Sequence, residues 1–61
     1  MPRITVQMIE GRTIDQKRKM VEELTEVICR NCNVPETSVS ILFQDMRRED
    51  FARNGKLVCD E

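Results

Sequence analysis

Hydrophobic and polar residues alternate in the first segment of the chain, "RITVQMI" at 3–9. Three aliphatic side chains fall on one face of an extended backbone: Ile4, Val6 and Met8. The other face carries two polar residues and one aliphatic residue: Thr5, Gln7 and Ile9. Alternation with a period of two predicts a β-strand. Gly11, in the "EGR" that follows, predicts a turn after this strand.

The pattern becomes helical after this turn. Thr13 and Gln16 have the spacing of a capping box, and Asp15 suits the positive end of a helix dipole. Apolar residues then recur at helical spacing: Met20, Val21, Leu24, Val27, Ile28 and Cys32. Because Pro35 cannot continue a helix, the pattern predicts a helix that ends near 32–33.

A second alternating segment, "SVSILFQ" at 38–44, predicts a second strand. A strand, a helix and a strand with short connections form a β-α-β unit, in which the two strands run parallel with a right-handed crossover. The "NG" dipeptide at 54–55 then predicts a short C-terminal β-hairpin. The sequence therefore predicts a single α+β domain over residues 1–61, a β-α-β unit with parallel strands plus this hairpin.

Length and topology both indicate self-association. A chain of 61 residues buries only about 60% of its unfolded surface, so a lone monomer is marginally stable. Parallel strands normally need both faces covered, whereas a single helix covers one face. Three cysteines, an odd number, do not suit a disulfide framework, and the absence of histidine disfavours a zinc site. We therefore expect an oligomer that needs no metal.

Composition argues against two classes of partner. The net charge is −1, with 10 basic and 11 acidic residues mixed along the chain, and Tyr and Trp are absent. Nucleic-acid binding, which uses basic stripes and aromatic stacking, has little support. The longest apolar run, "ILF" at 41–43, is too short to cross a bilayer, and no signal-like segment is visible. We expect a cytoplasmic protein with neither nucleic acid nor membrane as a partner.

The "CRNC" motif at 29–32 has both a chemical and a structural interpretation. A C-x-x-C motif can form a redox pair or half of a zinc site. Here it lies at the C-terminal end of the predicted helix, where the helix dipole disfavours a thiolate. Cys59 is the only other cysteine, so one chain does not offer four good zinc ligands. We interpret Cys29 and Cys32 as packing residues.

Two residues that flank the first strand carry candidate chemistry. If Met1 is removed, the nitrogen of Pro2 becomes a secondary amine, which is both a base and a nucleophile. Arg12 follows the carboxyl end of the strand, where ligands of parallel sheets often bind. A guanidinium at that place, beside a helix start, suits a carboxylate. An extended strand holds these two residues roughly 33 Å apart. A pocket that uses both therefore needs a second subunit, or a turn that folds back.

The segment "MPRITVQMIEGRTIDQKRKMVEELTEVI" resembles the start of the 4-oxalocrotonate tautomerase family. Subunits of that family have about this length, with a proline after the initiator Met, a strand, "EGR", and a helix that opens like "T-x-x-Q-K". The resemblance continues through "VPETSVSILFQDM" and "FARNGKL" and so covers nearly the whole chain. It implies the tautomerase fold, β-α-β plus a terminal hairpin, commonly assembled as a trimer of dimers. We accordingly expect a homohexamer.

The resemblance also implies a reaction and its residues. The family moves a proton between positions of a small enol or dienol carboxylic acid and requires no cofactor. By resemblance, Pro2 is the general base, Arg12 holds the substrate carboxylate, and Phe51 forms the aromatic wall of the pocket. A second arginine of the family, contributed by a neighbouring subunit, aligns with Ser40 here. Arg53 is a candidate to replace its positive charge, and Ser40 can donate only a hydrogen bond.

Two alternatives remain open at this point. The first is a non-catalytic subunit, or one member of a hetero-oligomer whose partner chain supplies the missing arginine. The second is hydrolytic dehalogenation or decarboxylation, which relatives perform and which normally needs an acidic residue to activate water. Asp45, Glu49 and Asp50 are available for that role, although nothing in the sequence places them in a pocket.

Overall fold

The computed structural model describes residues 2–61, so Met1, whose removal would free the Pro2 amine, lies outside the described residues. Its elements are β1 (Arg3–Ile9), α1 (Ile14–Cys32), β2 (Ser40–Met46), β3 (Ala52–Arg53) and β4 (Lys56–Leu57). Strands β1 and β2 pair in parallel, and β3 and β4 pair antiparallel as a hairpin. Three single-turn 3-10 helices connect or follow these elements: Glu36–Ser38, Arg48–Asp50 and Val58–Asp60. The predicted α+β architecture is confirmed.

The ends of α1 are fixed by side-chain and backbone caps. The Gln16 backbone N–H donates to Thr13 Oγ1 at 3.1 Å, and the Thr13 N–H donates to Gln16 Oε1 at 2.9 Å, which completes the predicted capping box. At the other end, Asn33 adopts a left-handed conformation with φ 56° and donates its N–H to the Cys29 carbonyl. The helix therefore ends where Pro35 predicts.

The two parallel strands pair without a shift, from Arg3 opposite Ser40 to Ile9 opposite Met46. Strand β2 begins two residues later than the alternation predicts, because the preceding residues form a 3-10 turn in which the Ser38 N–H donates to the Pro35 carbonyl at 3.0 Å. This register determines which side chains from β1 and β2 share a face of the sheet.

Helix α1 covers one face of this sheet. Half-buried side chains of the helix include Met20, Leu24 and Ile28. Lys17 ties the helix to β2, because its ammonium lies 2.9 Å from Asp45 Oδ2 and 5.7 Å from the centre of the Phe43 ring. Three residues of the predicted apolar stripe are instead exposed in the single chain: Val21, Val27 and Cys32.

The C-terminal hairpin turns at the predicted dipeptide. Asn54 and Gly55 have φ values of 54° and 75°, and two positive φ values at consecutive positions are characteristic of a type I′ turn. The Val58 N–H donates to the Phe51 carbonyl at 2.9 Å, and Val58 is 5% exposed. The hairpin therefore packs largely on the turn that precedes it.

Candidate functional site

Pro2 and Ser40 lie side by side at the amino ends of β1 and β2. The Ser40 backbone N–H donates to the Pro2 carbonyl at 3.1 Å, one residue before the ladder between the two strands begins. Pro2 is half-buried in this position. The hydrogen bond holds the backbone of Pro2 in place without using its nitrogen.

An open cavity of about 330 Å³ lies beside this pair and is lined by Arg3, Ser40, Ile41 and Leu42. One cation and one hydroxyl group therefore stand next to the aliphatic side chain of Leu42. This combination suits a small anionic ligand with an apolar carbon chain, and the volume is at the lower end of the range of about 300–1,000 Å³ for ligand pockets.

Arg12 lies at the opposite end of the sheet. The Glu10 N–H donates to the Met46 carbonyl at 2.9 Å, which extends the ladder by one bond. Gly11 then has φ 121°, a left-handed conformation that suits glycine, and the chain reaches Arg12 directly before the Thr13 cap of α1. Arg12 is exposed, and among residues 2–61 no carboxylate forms an ion pair with it. Its guanidinium is therefore accessible to a ligand beside a helix N-terminus.

The straight strand keeps Pro2 and Arg12 of one chain apart. Extended backbone rises about 3.3 Å per residue, so Pro2 and Glu10 are separated by roughly 26 Å. Arg12 follows Glu10 by two residues, which span at most about 7 Å. At least roughly 19 Å therefore separates the backbones of Pro2 and Arg12 by these lengths. One copy of the chain does not bring these two candidates into a single small pocket.

Phe51 and Arg53 belong to the C-terminal segment that follows the carboxyl end of β2. Phe51 is half-buried at the end of the 3-10 turn Arg48–Asp50. Arg53 donates from Nε to Glu61 Oε2 and from Nη2 to Glu61 Oε1, both at 3.0 Å. This hydrogen bonding raises the pKa of Arg53. The guanidinium is thus already engaged with a carboxylate of its own chain.

The three acidic residues considered for water activation are all engaged in ion pairs. Asp45 pairs with Lys17, and both Glu49 and Asp50 pair with Arg47 at 3.4 Å and 2.9 Å. The hydrogen bond to Asp50 is the main cause that raises the pKa of Arg47. Each of these carboxylates is engaged with a cation of its own chain, and none lines the cavity, so this arrangement gives the hydrolytic alternative no support.

Cysteines and possible metal ligands form no cluster in the part of the chain that the structure describes. Cys29, Cys32 and Cys59 are free thiols. No group of three or more potential metal-ligating side chains occurs within residues 2–61. Across the same residues, no helix combines the length and apolarity needed to cross a membrane.

Arg3 is a cavity residue that the sequence interpretation missed. Its position in the alternating pattern places it on the same face as Thr5 and Gln7. Its neighbour across the sheet depends on the pairing register, which joins segments far apart in the chain. The only local signal was an arginine directly after Pro2, on the polar side of a predicted strand.

A family model and two known proteins that match this chain are all described as tautomerases. A family model described as tautomerase enzyme matches residues 2–61. A probable tautomerase of Listeria monocytogenes serotype 4b (strain F2365) is 38% identical over 60 residues, which cover 98% of each chain. A 2-hydroxymuconate tautomerase of Bacillus subtilis (strain 168) is also 38% identical over 60 residues, which cover 98% of this chain and 97% of that protein.

Solved structures with this fold include homologues of 4-oxalocrotonate tautomerase. The homologue YwhB superimposes with a TM-score of 0.93 at 37% identity, over 98% of both chains. A second homologue gives a TM-score of 0.95 at 33% identity, over 100% of this chain and 97% of the other. A heterohexameric 4-oxalocrotonate tautomerase from Chloroflexus aurantiacus J-10-fl gives 0.90 over 98% and 97% of the two chains; at 22% identity it shows a shared fold alone.

Proposed function

The chain belongs to the tautomerase family, and from that premise we propose that it isomerises a small unsaturated 2-hydroxy carboxylic acid to its 2-oxo form by 1,3- or 1,5-proton transfer. The observation that carries the proposal is the position of Pro2, half-buried and hydrogen-bonded to Ser40 beside the cavity at the amino ends of β1 and β2. The similarity to a 2-hydroxymuconate tautomerase supports a substrate of this class.

Pro2 is the proposed general base. After removal of Met1, its neutral secondary amine accepts the proton of the enol hydroxyl, and the electron pair of that O–H bond forms the carbonyl. The double bond shifts along the chain, and the ammonium of Pro2 returns a proton to carbon C3 or C5. The amine is regenerated, so atoms and charge balance over the cycle. Positioned proton transfer of this kind contributes about 10²–10⁴-fold to a rate.

Arg12 and Phe51 complete the proposed pocket from another subunit. Arg12 holds the substrate carboxylate through its guanidinium, and Phe51 supplies an apolar wall. A cation and an apolar wall near the Pro2 amine both disfavour its protonated form, so we expect them to lower the pKa of that amine. Ser40 or Arg53 then stabilises the negative charge that develops on the enolate oxygen.

We propose that the active assembly is a homohexamer built as a trimer of dimers. The separation of Pro2 and Arg12 in one chain supports a site shared between subunits, because neither residue reaches the other along a straight strand. The exposed apolar side chains Ile14 and Leu42, which are 62% and 54% exposed in the single chain, supply surface that association can bury.

Substitution of Pro2 tests the proposal, with Pro35, the other proline of the chain, as the matched control. We expect Pro2→Ala to lower kcat/KM for 2-hydroxymuconate or phenylenolpyruvate by about 10²–10⁴-fold, because it removes the secondary amine. Pro35→Ala should retain the wild-type value, since Pro35 lies in the turn before Glu36–Ser38. Enol-to-keto conversion is followed by ultraviolet absorbance.

Three outcomes contradict the proposal. An unchanged kcat/KM in Pro2→Ala excludes Pro2 as the base. An intact mass that retains Met1 in the native protein makes the Pro2 nitrogen an amide and excludes amine catalysis. A well-formed oligomer that converts none of a panel of enol and dienol acids supports a non-catalytic subunit, or one that needs a different partner chain.

A further inference from the structure

The cavity beside Pro2 is lined by one cationic side chain, Arg3, which has no role in the proposed reaction. Arg3 and Ser40 are partners in the register of β1 and β2, and both line the cavity. The Gln7 side chain donates to Gln44 Oε1 at 2.8 Å, which shows that register partners project on the same side of the sheet. The Arg3 and Ser40 side chains therefore share one face.

That face lies on the side of the sheet away from α1. Phe43 and Asp45 face Lys17 of the helix, and strand alternation places Ser40 and Leu42 on the other side. Arg3 is exposed there. Its guanidinium is not blocked by helix packing and opens onto the cavity.

Arg3 and Arg53, the two candidates for the positive charge, differ in what they already bind. Within residues 2–61, no carboxylate forms an ion pair with Arg3. Arg53, in contrast, donates two hydrogen bonds of 3.0 Å to Glu61. A ligand would have to displace Glu61 to use Arg53 in the same way, whereas Arg3 offers its planar fork of donors directly.

We infer that Arg3 is a substrate-binding residue, and that it holds an anionic oxygen of the substrate while the Ser40 hydroxyl donates a second hydrogen bond. Leu42, on the same face as Ser40, contacts the unsaturated carbon chain of the acid. The identity of the substrate rests on the proposed function, but the anion site itself rests on the cavity and on an Arg3 guanidinium that no carboxylate within residues 2–61 binds. Arg3, rather than Arg53, then provides the positive charge on this side of the pocket.

Activity measurements on four variants test this assignment. We expect Arg3→Gln to lower kcat/KM for 2-hydroxymuconate by about 10- to 100-fold, the range for one hydrogen bond to a charged group. Arg3→Lys should lower kcat/KM less than Arg3→Gln does, because lysine keeps the positive charge and lacks only the planar set of guanidinium donors. Arg30→Gln removes an equal charge from the exposed last turn of α1 and should match the wild type. An unchanged Arg3→Gln, or a larger loss in Arg53→Gln, overturns the assignment.

A double variant tests the shared face. Because Arg3 and Ser40 are register partners, Arg3→Gln combined with Ser40→Arg moves the cation across the strand pair and keeps it at the cavity. We expect Ser40→Arg to raise kcat/KM at least tenfold in the Arg3→Gln background, within the range of one charged hydrogen bond, and by less in the wild-type background, where Arg3 already supplies the charge. An equal gain in both backgrounds would mean that Arg3 supplies no such charge. Activity no higher than that of Arg3→Gln contradicts the geometry on which the inference depends.

Ligand binding separates this inference from the proposed reaction. The dicarboxylate cis,cis-muconate lacks an enol hydroxyl, so its binding to the wild-type oligomer by calorimetry requires no turnover. Arg3→Gln should weaken this binding by about 10- to 100-fold. If Arg3→Gln binds muconate more weakly, the Arg3 site is supported, even if Pro2→Ala keeps full activity and the proposed reaction fails. If Arg3→Gln binds muconate as the wild type does, the Arg3 site is excluded, even if Pro2→Ala is inactive. Circular dichroism and gel filtration verify that each variant folds and assembles.

Discussion

Arg53 and Glu61 form a bidentate ion pair that links the C-terminal hairpin to residue 61. Arg53 Nε and Nη2 donate to the two oxygens of the Glu61 carboxylate. These hydrogen bonds lower the pKa of the Glu61 side chain, against the smaller opposing effect of desolvation. The contact joins the residue before the turn at Asn54 and Gly55 to Glu61 and so constrains the hairpin that follows Phe51.

The lowered pKa of Glu61 predicts a titration that depends on Arg53. Because the folded pKa lies below the unfolded one, the contribution of this pair to stability is present above the ordinary carboxyl range. It is lost as the pH falls through the lowered folded pKa. Carbon-13 NMR of the Glu61 side-chain carboxyl should show its titration midpoint rising towards the ordinary value in Arg53→Gln.

Arg48 supplies a control for this titration. Its charge contributes the least of the causes that act on Glu61, so Arg48→Gln should raise the midpoint less than Arg53→Gln does. Equal midpoints in the wild type and Arg53→Gln would show that the two side chains do not pair in solution.

At the scale of elements, the start of α1 is the most firmly specified point of the fold. Thr13 and Gln16 satisfy each other's backbone N–H groups, and Asp15 in the first turn suits the helix dipole. The cap comes directly after Arg12. The same two hydrogen bonds therefore begin the helix and fix the backbone next to the proposed carboxylate-binding residue.

Loss of this cap has a predictable cost. Thr13→Ala should lower the free energy of unfolding by about 1 kcal/mol, because it leaves the Gln16 N–H without its side-chain acceptor. Urea unfolding at one fixed protein concentration measures the change, since association also affects stability. Lys19→Ala, on the exposed face of the same helix, should keep the wild-type value or slightly exceed it. Equal stabilities for these two variants would contradict the role of the cap.

Features set by neighbouring residues could be predicted from the sequence. The capping box, the helix end before Pro35 and the Asn54–Gly55 turn depend on residues a few positions apart, and all three are present. Alternation predicted β1 with its observed bounds, but it placed the start of β2 two residues early because a 3-10 turn has no comparable pattern.

Features set by distant residues could not be predicted in this way. The cavity depends on Arg3 meeting Ser40 across the sheet, 37 positions away along the chain. Arg53 is a candidate to replace the family's second arginine, and its two hydrogen bonds to Glu61 could not be predicted from the sequence. Lys17 belongs to the charged side of the predicted helix, yet its ammonium lies over the Phe43 ring and pairs with Asp45. Register and pairing of this kind follow from tertiary structure, which a local pattern does not encode.

At the scale of the whole molecule, the single chain is too extended to stabilise itself well. Its radius of gyration is 14.7 Å and its extents are 43 × 23 × 13 Å. A compact chain of this length has a radius of gyration of about 10 Å. Val58 is the one buried hydrophobic residue within 2–61, while Ile14 and Leu42 are largely exposed. We expect stability and the complete site to depend on association.

A mixing experiment tests whether the proposed site is shared between subunits. Pro2→Ala and Arg12→Gln each remove one half of the pocket, so each variant alone should be nearly inactive. When the two are unfolded together and refolded as a mixture, we expect about a quarter of the wild-type activity, because each site draws each of its two residues from an intact chain half of the time. The ultraviolet assay with 2-hydroxymuconate below its KM measures the recovery.

Refolding the two variants separately and then mixing them is the control, and it should give no recovery unless subunits exchange. Mass spectrometry of the intact oligomers establishes that chains have mixed. Mixed oligomers without recovered activity would mean that Pro2 and Arg12 act within one chain, which the straight strand between them opposes. Recovery, in contrast, follows only if a Pro2 of one chain meets an Arg12 of another. Catalysis by this fold would then require assembly, because the strand that joins the two residues also holds them apart.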